Sequence, residues 1–547
     1  MVQAVAAPTA RRRGRSAAVP RLGRVTLAWG VGLAIAALGL ALRLAHIGMI
    51  PRFTDETDEV AWSAAIVAGQ HLPLVAFASY DGAVVNYLLA GVLFLFGLDP
   101  LLPRYFFMAA GLLTVGATFL LARELALSSP RFAGAAGRGP AVAVGLLAAA
   151  MLALSPVHII VNSRIAYVHC MTPLFTTFGL WLLVRAARTD GGRTFGAAGL
   201  VLGMALQSHP TVVALVPGAA AWAAWKMRPL LLSRRVVPAI LLGVLGCGTL
   251  IVHNLATDFG SVREALAKSE AYARQRGEQP QPYPIALRLE AENLARTLAG
   301  AIGDRREATV PLDDPAVRAW MILAPLAVLV AARLGVWLPL LAAVPFILML
   351  PIFNAKFEPL YNGRYFMPLV PFVAASVGLL GVSMWAWLGR AGARGVAARA
   401  GIGVAVLLLG ASPVVALRAY ETAALDDGGN APYYELADRI VRERLPHERI
   451  LLDSDLGGAR IASGQDGTSV IEYLLTMRPD PVPVTSARID EMSALARAAP
   501  GEYVLVLLSP SRQKLETRFR LTLVGRAPAP TGHRLADVRL YRVREIR

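Results

Sequence analysis

The sequence predicts a polytopic α-helical membrane protein with a small C-terminal extracytoplasmic α/β domain. Three observations predict it. Of 547 residues, 56% belong to the hydrophobic set and only 17% are charged, well under the ~25% of a soluble globular chain. Apolar runs recur from residue 25 to residue 418. The basic residues sit in short gaps between these runs, on alternate sides.

The net charge of +17 is therefore a topology signal, and it excludes a nucleic-acid partner. Arg11, Arg12, Arg13, Arg15, Arg21 and Arg24 precede the first apolar run, Val25–Ile47. At 23 residues that run exceeds the 7–15 of a signal-peptide core, so it reads as an uncleaved span. Residues 1–24 are then a basic cytoplasmic N-terminus, and 25–418 a transmembrane domain of eleven spans. These fall near 25–47, 105–122, 140–160, 169–187, 195–208, 211–226, 235–253, 318–334, 336–353, 365–388 and 401–418. The odd count leaves residues 419–547 outside. On the cytoplasmic side it places 20 basic residues against only Glu124 and Asp190.

The first external loop, 48–104, reverses that balance, with Arg52 and Arg104 against Asp55, Glu56, Asp58, Glu59, Asp81 and Asp99. Within it, Ala83–Gly97 is apolar but short, and reads as a juxtamembrane helix. A larger external loop, 254–317, carries Glu264 and Lys268 at i,i+4 helical spacing. In the C-terminal segment, Tyr433–Arg444 has helical spacing, while Ile450–Leu452 and Tyr503–Leu508 have the length of strands. Cys170 and Cys247 both lie in apolar stretches and make no metal-ligand spacing.

The densest chemistry is Thr54-Asp55-Glu56-Thr57-Asp58-Glu59, where the chain leaves the membrane. A helix starting here has Thr54 as N-cap and acids in its first turn, with Asp55, Glu59, Trp62 and Ile66 on one face. Spacing alone is equally served by a capped, solvated loop. Basic side chains at external span ends, Arg104, Arg164, Lys356 and Arg364, are open to phosphate binding or to snorkelling. Aromatics such as Trp62, Tyr80, Tyr87, Tyr105 and Trp320 fit an interfacial belt or a sugar- or lipid-lined groove.

Asp55-Glu56 after a first span, then Gly69 and Leu72-Pro73, resembles the first external loop of GT-C glycosyltransferases. The branch it is most similar to holds the protein O-mannosyltransferases and the aminoarabinose transferase of lipid A. Tyr80-Asp81-Gly82 through Leu88, Leu95-Phe96-Gly97 and Arg104 continue the likeness. So do Ser155-Pro156-Val157-His158 with Asn162-Ser163-Arg164, then Ser208-His209-Pro210-Thr211, and last Asn362-Gly363-Arg364-Tyr365-Phe366-Met367-Pro368. In order and topology the resemblance covers residues 25–390.

The resemblance implies a GT-C-like fold and transfer of a sugar from a polyprenyl-phosphate donor to a lipid, glycan or protein acceptor. That reaction would run on the extracytoplasmic face of a bacterial inner membrane. It makes Asp55 the catalytic base. Substrate contacts are expected from Glu56, Asp58, Glu59, Tyr80, Asp81, Arg104, Arg164, His169, His209, Lys356, Glu358, Tyr361, Arg364 and Tyr365. Some members carry a second acid in the turn that here reads Ile165-Ala166-Tyr167-Val168-His169-Cys170. A divalent cation is therefore an open expectation, with His169 a partial substitute for the acid. A transporter or flippase of a lipid-linked sugar is the main alternative, and a sensor or assembly protein the third. The absence of internal repeats counts against the transporter.

Overall fold

The structure, a computed structural model, describes residues 19–53, 56–132, 134, 137–275, 282–302, 310–353, 363–390, 392–454, 469–499, 501–527, 529 and 534–546. Helices stand at the positions of all eleven apolar runs. Among the described residues, five are long and apolar enough to cross a membrane: Thr26–Leu44, Leu102–Ser128, Val168–Thr189, Pro315–Arg333 and Val370–Leu388. The number is seven if each of two bent pairs counts as one crossing. Large side chains such as Leu27, Trp29, Leu33, Leu241 and Leu245 are exposed on these helices, a surface that lipid covers and water does not. The chain is a multi-pass membrane protein.

The two bends have local causes or consequences in the packing. Arg138–Leu154 and Pro156–Arg164 meet at 69° where Pro156 follows Ser155. A proline cannot continue the amide ladder, so carbonyls of the preceding turn lose their partners. Buried Arg43 supplies them: its guanidinium donates to the Ala153 carbonyl at 3.1 Å and the Leu152 carbonyl at 3.5 Å. It also meets Ser163 Oγ at 3.1 Å and His158 Nδ1 at 2.7 Å. The pair Val236–Gly246 and Gly248–Ala256 bends by 66°. Its first half packs tightly on Gly192–Ser208, where a Cβ on Gly203 would stand 2.2 Å from the Gly243 carbonyl oxygen.

Glu124 and Asp190, the two acids on the side expected to be cytoplasmic, are both paired there. Glu124 is fully buried and bonded to Arg188, with Arg185 at 3.8 Å, and Asp190 lies 3.2 Å from Arg235.

The apolar segment of the first loop is helical over Val84–Phe96, with Phe94, Leu95 and Phe96 exposed at its end. Residues 254–317 contain the helices Gly260–Gln275 and Tyr283–Ala299. The C-terminal domain opens with the helix Ala431–Glu443. It then builds a five-stranded sheet from β1 (Arg449–Asp453), β2 (Val484–Ala487), β3 (Tyr503–Leu508), β4 (Phe519–Arg526) and β5 (Val538–Ile546). The order is β2-β1-β3-β5-β4. β1 runs parallel to β2 and β3, while β5 is antiparallel to β3 and β4. The helix and the two strands expected in this domain are all present.

This domain is not a separate body. One buried apolar cluster joins Phe53, Val60, Phe107 and Tyr167 of the helical part to Tyr433, Leu436, Tyr473 and Leu474. The C-terminal domain thus sits directly on the first loop.

Candidate active site

The first-loop helix is Glu56–Val67, and it buries Glu56, Thr57, Glu59, Val60 and Ser63. The buried stripe therefore runs through Glu56, Glu59, Val60 and Ser63. Glu59, Trp62 and Ile66 share a helix face as expected, with Trp62 and Ile66 half-buried. Glu56 turns inward to meet Arg104. Thr54 and Asp55 lie outside the described residues, as do Lys356, Glu358, Tyr361 and Asn362.

After Gly69 the chain returns along Trp62, whose indole N–H donates to the Val75 carbonyl at 3.1 Å. Val75 and Gly82 form an antiparallel bridge. Within the turn they close, Ala76 N–H donates to the Asp81 carbonyl and Asp81 N–H to the Ala78 carbonyl, at 2.8 and 2.9 Å. The Gly82 amide donates to the Gln207 carbonyl at 2.7 Å, which ties this turn to the end of Gly192–Ser208. Asp81 is thereby held fully buried, and its two carboxylate oxygens make no hydrogen bond among the described residues.

Around Asp81 gather groups from distant parts of the sequence. Tyr167 lies beside Tyr80, and its ring stands 4.5 Å from that of His169. The His209 ring lies 6.3 Å from Tyr80, 5.8 Å from His169, and stacks on Tyr365 at 5.3 Å and 23°. His209 Nδ1 accepts from the Thr211 amide at 3.3 Å, so a neutral imidazole carries its proton on Nε2. Arg364 lies 5.0 Å from the Tyr365 ring and donates to the Tyr365 hydroxyl at 3.0 Å. From the helix Gly260–Gln275, Lys268 Nζ stands 4.8 Å from the Tyr80 ring, and Glu264 accepts from the Ser79 hydroxyl. The residues read as a helix-surface pair thus reach over to the first loop. Glu59, buried at the floor, accepts from Asn86 Nδ2 at 3.1 Å.

Burial pushes the Asp81 carboxyl well above the usual carboxylate range, and the nearby Glu59 pushes the same way. Lys268 and Arg364 pull against them, and Glu264 adds a smaller push upward. The Tyr80 phenol is raised by burial first and by Asp81 second. A carboxyl raised in the folded state keeps its proton where the unfolded chain has lost it. Folding then weakens as pH rises past the unfolded value of about 3.9. Asp81→Asn is uncharged at every pH, so its melting temperature should exceed the parent's at pH 7. Thermal unfolding at a series of pH values should show the gap closing as pH falls toward about 4. A constant gap, or none, would remove the buried charge from the account.

Seven of the expected contacts therefore converge: Glu59, Tyr80, Asp81, His169, His209, Arg364 and Tyr365. Glu56, Arg104 and Arg164 lie outside this cluster. Arg104 and Glu56 are fully buried against each other, in a bidentate pair whose Nε–Oε2 leg is 3.1 Å. Arg104 also donates to the Ile47 and Pro51 carbonyls at 2.7 and 3.1 Å and covers the Phe53 ring at 4.2 Å. Glu56 Oε2 accepts the Ala166 amide at 3.0 Å as well. Arg164 is paired at 2.8 Å with Glu421, on the long helix Gly392–Asp426. These arginines tie separate helices together. Asp58 is half-buried on the first-loop helix.

Sequence reasoning missed Tyr167 and Lys268 as members of the cluster, and Arg43 as the helix-bend clamp. Only Tyr167, inside a quoted motif, carried any signal. Among the described residues, no group of three or more His, Cys, Asp or Glu could hold a metal ion. A cavity of about 260 Å³ lies at the opposite end of the helices, lined by residues including Arg188, Trp222, Lys226 and Trp337.

No protein-family model matches the sequence. No curated protein matches it either. The fold does match solved structures. ArnT from Cupriavidus metallidurans bound to undecaprenyl phosphate superposes with a TM-score of 0.57 at 14% identity, covering 95% of this chain and 98% of that one. The same protein in the apo state gives a TM-score of 0.55 at 15% identity, with the same coverage. Over nearly its whole length this chain shares the fold of ArnT.

Proposed function

We propose that the protein is a glycosyltransferase that moves a sugar from a polyprenyl-phosphate donor to an acceptor on the extracytoplasmic face. In this reading the chain crosses the membrane eleven times, with its N-terminus in the cytoplasm and the C-terminal domain outside. The observation that carries it is the meeting of Arg364 and Lys268 with Asp81, Glu59 and the Tyr80–His209–Tyr365 aromatics at one end of the helices. The fold is one that holds undecaprenyl phosphate in ArnT.

The chemistry asks for two things. A base must accept the acceptor's proton within about 3 Å. Cations must stabilise charge growing on the departing phosphate. The acceptor oxygen or nitrogen forms its bond to the anomeric carbon as the bond from that carbon to the phosphate oxygen breaks. The electron pair leaves with the lipid phosphate, the proton goes to the Asp55 carboxylate, and the anomeric configuration inverts. Arg364 is the cation best suited to the phosphate, being half-buried where Arg104 and Arg164 are sealed in pairs. Asp81 and Glu59 are acceptors for sugar hydroxyl or amino groups. His209, carrying its proton on Nε2, is a donor beside them, and the aromatic rings face the sugar plane.

Undecaprenyl phosphate binding to the purified protein tests the phosphate assignment. Arg364→Ala should weaken it about 10–100-fold, the loss of one or two charge-assisted hydrogen bonds. Unchanged affinity would take the phosphate away from this cluster.

A further inference from the structure

Resting on that reading of Asp55, we infer that the C-terminal domain sets the geometry of the acidic loop, with Asn430 as the positioning residue. Asn430 opens the domain and is fully buried. Its amide nitrogen donates to the Gly48 and Pro51 carbonyls, each at 3.0 Å. Its amide oxygen accepts the Phe53 N–H at 3.0 Å, and its backbone N–H donates to the Met49 carbonyl, also at 3.0 Å. One side chain thus satisfies three main-chain groups of a turn that otherwise has no regular structure to satisfy them.

The turn before Asn430 is built for this approach. Gly429 has φ +52°, and a Cβ there would stand 2.5 Å from the Met49 carbonyl oxygen. Phe53 is then gripped by rings of the same domain, with Tyr473 at 5.3 Å and Tyr434 at 5.9 Å. The Tyr473 hydroxyl donates to the Pro100 carbonyl at 2.7 Å, fixing the far end of the same loop.

Two residues after Phe53 comes Asp55, and the next is Glu56, held by Arg104 and the Ala166 amide. Glu56, which follows Asp55 in sequence, is therefore held by the helical part, and Phe53, two residues before it, by the C-terminal domain. A base must stand within hydrogen-bond reach of the acceptor, and misplacement by about 1 Å can cost 10²-fold in rate. Asn430 acts through this anchor and touches neither donor nor acceptor.

The test uses the full-length protein and compares Asn430→Ala with Phe519→Leu. Phe519 is a buried residue of β4 in a core cluster separate from the one that holds Phe53. Asn430→Ala should lower kcat between about tenfold and a hundredfold while leaving the donor KM within about twofold. Amide exchange of the peptide spanning residues 48–62 should speed up in the same variant. Phe519→Leu should lower the melting temperature with kcat and loop exchange little changed. If Asn430→Ala does not fold, Asn430→Asp replaces it. That variant keeps the acceptor for Phe53 N–H and sets a carboxylate against two carbonyls. Unchanged kcat, or a fall in kcat matched by Phe519→Leu at equal loss of stability, would overturn the inference. Should Asp55→Asn transfer normally, the reading of Asp55 fails. The exchange measurement would still report whether Asn430 holds the loop.

Discussion

Asp55→Asn should abolish transfer, lowering kcat by about 10²–10⁴-fold, the range for loss of a positioned general base. The substitution keeps the size and hydrogen-bonding reach of the side chain and removes only its ability to take a proton. Undecaprenyl phosphate binding and membrane expression should be unchanged, because Arg364 and not Asp55 faces the phosphate in the proposed arrangement. The measurement is initial-rate transfer in membranes supplied with a polyprenyl-phosphate sugar, alongside the binding assay. Transfer within about threefold of the parent would remove Asp55 from the mechanism. A parallel loss of binding would instead mean that the residue holds the loop or the donor.

The second large effect concerns stability. Arg104→Met should destabilise the protein by about 3–5 kcal/mol, the cost of leaving one partner of a buried ion pair without the other. Glu56 would keep its Ala166 amide donor but lose a bidentate guanidinium in a site with no access to water. Arg104 also satisfies the Ile47 and Pro51 carbonyls, so three elements loosen together. The double variant Glu56→Met/Arg104→Met should recover much of that loss, since an apolar pair of similar volume leaves no buried charge. Thermal unfolding in detergent measures both. A single variant as stable as the parent would show that the pair is solvated. An additive double variant would show that the two residues do not act on each other.

The helical positions were legible because the bilayer imposes a length and an apolar composition that survive in any sequence. The helix Ala431–Glu443 and strands β1 and β3 were legible for a related reason: their apolar residues keep helical or strand spacing. What could not be read was which charges pair. Arg104, Arg164 and Arg364 each stand at a span end in the sequence, and the polar neighbours Asn162, Ser163 and Asn362 set only Arg164 and Arg364 apart. Only tertiary packing sends two of them to Glu56 and Glu421 and leaves the third half-open beside Tyr365. Lys268 was illegible because its partner ring, Tyr80, lies on another loop. Asn430 gave no signal because a side chain that caps another segment's backbone follows no periodicity.

The bonds from Asn430 span 377 to 382 residues. The first loop leaves the ribosome early, yet its Gly48 and Met49 carbonyls and Phe53 N–H gain these partners only when Asn430 has been made and delivered to the same side. Contacts of such long sequence separation carry a large loop-closure cost and form late. A ribosome stalled anywhere before that point would leave a membrane-inserted chain whose opening turn is unfinished. Assembly of the acidic loop is thereby coupled to completion of synthesis.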